Sequence, residues 1–190
     1  MAEGMARARM DSLFPGRSGE LVIGSAGVAG LDGETATPEA VITMRERGVD
    51  ITGHRARSMT PQLLSSSDLV LTMEAGQAKR VRAMSPAPVA EWPEPPGRPE
   101  SAMVFTLLRL GEAARRASIM SNEEAGQGGP SNRLGYLART AAAIQREGGW
   151  ESPDFAYEIN DPMGMPISGY SGAAEAMETP IHLVVDFLFS

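Results

Sequence analysis

Three short stretches of this chain combine residue types that do chemistry. GSAGVAG, at 24–30, puts three glycines after an apolar run. Such loops cradle phosphates when they lead straight into a helix N-terminus. Here the spacing is G-x-x-G-x-x-G and no helix signal follows, so an ordinary connection is the simpler reading. GHRARSMTPQLL, at 53–64, gathers His54, Arg55 and Arg57 ahead of a Thr-Pro helix start. By charge alone it is a solvated basic turn. DPMG, at 161–164, sets Asp161 before Pro162 and close to a glycine. Taken alone, Asp-Pro is a turn signal.

The chain has no cysteine, which removes disulfides, thiolate metal sites and a cysteine nucleophile at once. Its two histidines, His54 and His182, lack the spacing of a helical metal pair, so no metal and no other cofactor is expected. The twelve methionines read mostly as core packing.

The elements that must position these residues alternate in type. Residues 1–13 predict a helix whose apolar side carries Met1, Met5, Ala6, Met10 and Leu13, with Glu3, Arg7 and Arg9 pointing elsewhere. Residues 19–25, holding the run ELVIGS, predict a strand. Thr37-Pro38-Glu39 supplies a cap, a proline at the first helical position and an acid in the first turn, for a helix ending at Gly48. Thr60-Pro61 opens a shorter helix with Leu63 and Leu64, and SDLVLTM at 67–73 reads as a strand covered on both faces. A helix over 74–84 follows, and then SPAPVAEWPEPPGRPE, a proline-rich loop. A strand at Met103–Thr106 leads into a helix through about Ala117, and a polar helix spans roughly 132–147. A last helix carries Tyr170, Ala174, Met177, Ile181, Val185 and Leu188. Strands alternating with helices argue for a parallel α/β sheet.

At 190 residues the chain fits one domain, and 42% hydrophobic residues allow a real core. The net charge of -7 argues against a general affinity for nucleic acid or anionic membrane, though a local pocket can still hold a phosphate. No apolar run is long enough to span a bilayer. MAEGMARARM has no apolar signal core, which makes the cytoplasm the expected location.

Order changes the meaning of the isolated motifs. The succession SAG, GETATPEAV, RERGVDITGHRAR, TPQLLSSSDLVLTM and DPMG resembles the low-molecular-weight protein tyrosine phosphatase family, which also includes arsenate reductases and protein-arginine phosphatases. The likeness is dense over 19–80, returns at 161–188 and extends back into 1–13. Residues 85–150 resemble the family weakly and are expected to be a proline-rich and polar insertion in a single domain, 1–190.

The resemblance implies a flavodoxin-like fold with parallel strands in the order 2-1-3-4. It also implies a phosphate-binding loop, C-x-G-N-x-C-R-S-P, after the first strand, with a nucleophilic cysteine and an anion-clamping arginine. Met1 matches the position just beyond that loop's proline, so the first strand and the loop are expected to be missing from this chain. Asp161 matches the family's general acid, and Pro162 stiffens its loop. His54 matches the histidine that supports the phosphate loop, and Ser25 closes the neighbouring strand. Leu31 falls near the pocket wall, and Met163 stands at a position that is often aromatic.

The expected function is hydrolysis of phosphotyrosine-type phosphomonoesters, on a protein or a small molecule, through a phosphocysteine intermediate in a full-length form. The chain as given is expected to be inactive. The alternatives are a non-catalytic family member that binds or regulates, or a role like that of the arsenate reductases or arginine phosphatases.

Overall fold

The computed structural model describes residues 1–17, 19–28, 31–84, 103–120, 129–147 and 158–189. In chain order these form α1 (Ala2–Leu13), α2 (Pro38–Arg45), α3 (Pro61–Ser65), β1 (Leu69–Thr72), α4 (Ala75–Ala83), β2 (Met103–Thr106), α5 (Leu107–Met120), α6 (Pro130–Glu147) and α7 (Ile167–Phe189). The proline-rich stretch expected at 85–100 lies outside the described residues.

The strands β1 and β2 pair in parallel, in a register running from Leu69 opposite Met103 to Thr72 opposite Thr106. Both faces of this pair are covered, which is why the strands read as continuous apolar runs. Val70 and Val104 pack with Leu64, Ala78 and Val81 of α3 and α4. Phe105, with Leu69 and Leu71, turns to the larger core built by α1, α2, α5, α6 and α7.

Two helix starts follow from capping chemistry. Thr37 accepts a hydrogen bond from Ala40 N–H, and Thr60 accepts one from Leu63 N–H, each with a proline in the first turn. The long α7 buries Tyr170, Ala174, Met177, Ile181, Val185 and Leu188 along one side, as the spacing requires. Its interior Pro180 cannot donate a backbone hydrogen bond. Gly111 of α5 lies directly beneath it, and a Cβ there would stand 2.4 Å from Pro180 Cβ.

Three expectations are corrected. Residues 19–25 form no strand; 21–26 run without regular structure, and Val22 is 96% exposed. A strand needs a partner's N–H groups, and here the carbonyls of Ile23 and Ser25 accept instead from the guanidinium groups of Arg7 and Arg57. Just beyond this segment, one isolated parallel bridge joins Gly27 and Ser58. Leu13, expected on the inner side of α1, is exposed, while Met5 and Met10 are buried. Finally, α6 is not polar all round: Leu137, Ala138, Ala141 and Ile144 lie in the main core, and two of the four are alanines, whose small side chains give a weak hydropathy signal.

Candidate functional site

The first half of the site is organised by a carboxylate that sequence reading passed over. Glu3, in the first turn of α1, accepts from Ser25 Oγ at 2.5 Å and from Arg7 Nε at 3.1 Å. His54 Nδ1 stands 3.9 Å from the same Glu3 Oε2 that Ser25 engages. Burial works to raise the Glu3 carboxyl, but the hydrogen bonds from Ser25 and Arg7, with the charges of Arg7 and His54, hold it below the ordinary value. Its Glu-x-x-x-Arg spacing was a visible signal, although an i,i+4 pair usually marks nothing more than a solvated helix face.

Around this hub the 53–59 segment clasps residues 25–28 and 31–34. Arg57 Nε donates to Ser25 O at 2.8 Å, and Gly27 N–H donates to Arg57 O at 2.9 Å. Asp32 accepts from both the backbone N–H and the hydroxyl of Ser58. Gly33 N–H donates to Ala56 O, and Ala56 N–H to Glu34 O, both at 2.8 Å. Ser25 and Gly27 of the GSAGVAG stretch are therefore fastened to the His54 segment, and the next helix among the described residues begins only at Pro38. Leu31, at its end, is 51% exposed.

The second half is the DPMG loop. Asp161 is exposed, and its Oδ1 accepts from Met163 N–H at 3.0 Å, which closes a turn on the aspartate itself. Met165 N–H donates to Pro162 O at 2.9 Å, with Gly164 between them at φ 79°, a backbone region that suits glycine. Pro162 is half-buried, whereas Met163 is 59% exposed.

The loop starts from a firm base. Ile159, buried in the main core, donates its N–H to Met73 O at 2.9 Å. Glu158 Oε1 accepts from Ala75 N–H at 3.1 Å. Asp161 thus leaves from the carboxyl end of β1, where open parallel sheets place their ligands.

Ser25 and His54 are therefore brought together, through Glu3. Among the described residues, no hydrogen bond or ion pair joins them to the Asp161 loop. No group of three His, Asp or Glu side chains converges as a metal site among the described residues. Likewise, no described helix is long and apolar enough to cross a membrane.

Residues 1–91 match the family described as low molecular weight phosphotyrosine protein phosphatase. The probable low molecular weight protein-tyrosine-phosphatase EpsP of Ralstonia nicotianae is 39% identical over 83 residues, which cover 44% of this chain and 54% of that protein. The low molecular weight protein-tyrosine-phosphatase Wzb of Escherichia coli is 37% identical over 67 residues, or 35% of this chain and 46% of Wzb. The chain spans about half the length of the curated relatives it matches.

Solved structures show the same fold. The low molecular weight protein tyrosine phosphatase of T. tengcongensis aligns with TM-score 0.60 at 22% identity, covering 97% of this chain and 87% of the other. The YwlE arginine phosphatase of Geobacillus stearothermophilus aligns with TM-score 0.57 at 20% identity, covering 97% and 83%. The parallel α/β fold is that of these phosphatases, and residues 1–91 carry the family's sequence pattern.

Proposed function

We propose that this member of the low molecular weight phosphotyrosine protein phosphatase family supplies the supporting and proton-transferring part of a phosphomonoester hydrolase. The observation that carries the reading is the convergence of Ser25 and His54 on Glu3. His54 is matched to the histidine that supports the phosphate loop and Ser25 to the close of the neighbouring strand, and the two meet on one carboxylate although 29 positions separate them.

The reaction needs a thiolate that this chain, having no cysteine, does not hold. With a C-x-G-N-x-C-R-S-P loop in place, the thiolate attacks phosphorus and the bond to the leaving phenol oxygen breaks. Protonated Asp161 gives that oxygen its proton; a phenol, with a pKa of about 10, leaves poorly as the anion at neutral pH. The Asp161 carboxylate then takes a proton from the water that attacks the phosphocysteine, releasing inorganic phosphate and restoring the thiolate. Leu31 and Met163, both exposed and apolar, would flank the substrate's organic part. The substrate class is a phosphotyrosine-type phosphomonoester, on a protein or a small molecule.

The test is to join a strand and loop of that pattern to Met1 and to assay an aryl phosphate. The joined protein should turn over without added metal, and the 190-residue chain alone should not. A folded joined protein with no turnover would overturn the reading. It would favour instead a binding or regulatory role.

A further inference from the structure

The helix α4 begins without a cap of its own. Glu74, at the N-cap position, makes no side-chain hydrogen bond to it, and Gln77 Oε1 accepts from Met73 N–H, one residue before the cap. The first helical N–H, that of Ala75, is satisfied by Glu158 Oε1, 83 positions along the chain. A carboxylate is well suited to this place, because an ionised acceptor makes a stronger hydrogen bond and the helix N-terminus carries partial positive charge.

From these contacts we infer that Glu158 is a positioning residue for Asp161: it clamps the start of the DPMG loop onto the β1–α4 junction. The inference rests on the reading of Asp161 as the acid. Glu158 and Ile159 hold adjacent points of that junction, Ala75 N–H and Met73 O. Only Asn160 separates Ile159 from Asp161, so the acid's Cα lies within about 7–8 Å of a fixed point, at roughly 3.8 Å per residue. Downstream, the Asp161–Met163 and Pro162–Met165 hydrogen bonds make the turn a local unit leading into α7. Buried Ile159 fixes depth, and Glu158 fixes the direction in which that unit leaves the sheet.

Amide hydrogen exchange on the 190-residue chain tests this. Glu158→Ala should speed exchange at Ala75, Ile159 and Met163 by about tenfold or more, leaving the amides of α5 and α7 unchanged. Glu158→Gln keeps the accepting oxygen and should stay within about threefold of the parent. Glu158→Asp, one methylene shorter, should behave like the alanine variant and serves if that variant does not fold. Ile159 and Met163 exchanging within about twofold of the parent in the alanine or aspartate variant would overturn the clamp. So would a glutamine variant as loose as the alanine one. Asp161→Asn should leave Ala75 and Ile159 protected, so the clamp can stand even where the acid assignment fails.

Discussion

Ser25 Oγ donates to Glu3 Oε2 at 2.5 Å, joining the first turn of α1 to the segment that the 53–59 stretch holds from its other side. Because folding lowers the Glu3 pKa, the stabilisation is complete above the unfolded value of about 4.3 and is lost as pH falls through the folded one. Glu3→Gln should therefore destabilise by about 1 kcal/mol at neutral pH, the scale of one charged hydrogen bond at a partly exposed site. The difference from the parent should shrink as the pH is lowered and Glu3 becomes protonated in both states. Urea midpoints at pH 7, 5 and 3 check this; a penalty that did not change with pH would mean that packing, not charge, is at work.

Arg9 and Asp186 tie α1 to the last turns of α7 by two parallel bonds, Nε to Oδ1 at 2.9 Å and a terminal nitrogen to Oδ2 at 2.6 Å. Beside them the rings of Phe14 and Phe189 lie 5.3 Å apart. The planar fork matters, since lysine offers only a point charge. Arg9→Lys should lose most of what Arg9→Ala loses, about 0.5–1 kcal/mol for a half-exposed pair. A double-mutant cycle with Asp186→Asn checks it, and a coupling near zero would reduce the pair to a surface contact.

Gly111→Ala should be costly for a reason confined to one contact. The new Cβ would meet Pro180 Cβ at 2.4 Å and its Cα at 2.8 Å, and a proline inside a helix cannot turn aside. Overpacking of this kind costs about 1–3 kcal/mol, more than offsetting the gain in helix propensity. Calorimetry should show a melting temperature lower by several degrees, as about 1 kcal/mol shifts a domain of this size by roughly 2–4 °C. An unchanged or higher temperature would mean that α5 and α7 separate easily at that point.

Elements whose signals are local were legible in the sequence. Thr37 and Thr60 announce α2 and α3 by capping, and the apolar spacing of α7 is visible without its partners. Residues 19–25 were misread as a strand because strand propensity records a residue's fit to a pleated surface, not the presence of a neighbour. Leu21, Val22 and Ile23 have the propensity, yet the carbonyls of Ile23 and Ser25 accept from arginine side chains. Glu3 was missed because its partners lie 22 and 51 positions away. Glu158 carries no local signal, because the N–H it accepts from, that of Ala75, lies 83 positions earlier. The motif residues Ser25, His54 and Asp161 stood out by type and order, whereas the carboxylates that hold them are generic surface acids in one dimension.

The remaining prediction concerns Asp161 in the loop-joined protein. The turn needs an oxygen at Asp161 Oδ1 to accept from Met163 N–H, and asparagine supplies one. Asp161→Asn should thus preserve the loop while removing the transferable proton. The chemical step should slow by about 10²–10³, in the range of a lost general acid. KM should change little, because the phosphate is held elsewhere. In kcat/KM, which reports the transfer of phosphoryl to the thiolate and not the later hydrolysis, the defect should shrink for phenols of low pKa, which leave without help, so a plot of log kcat/KM against leaving-group pKa should be steeper for the variant than for the parent. Parallel plots, with the same small loss for every phenol, would leave Asp161 as a turn residue.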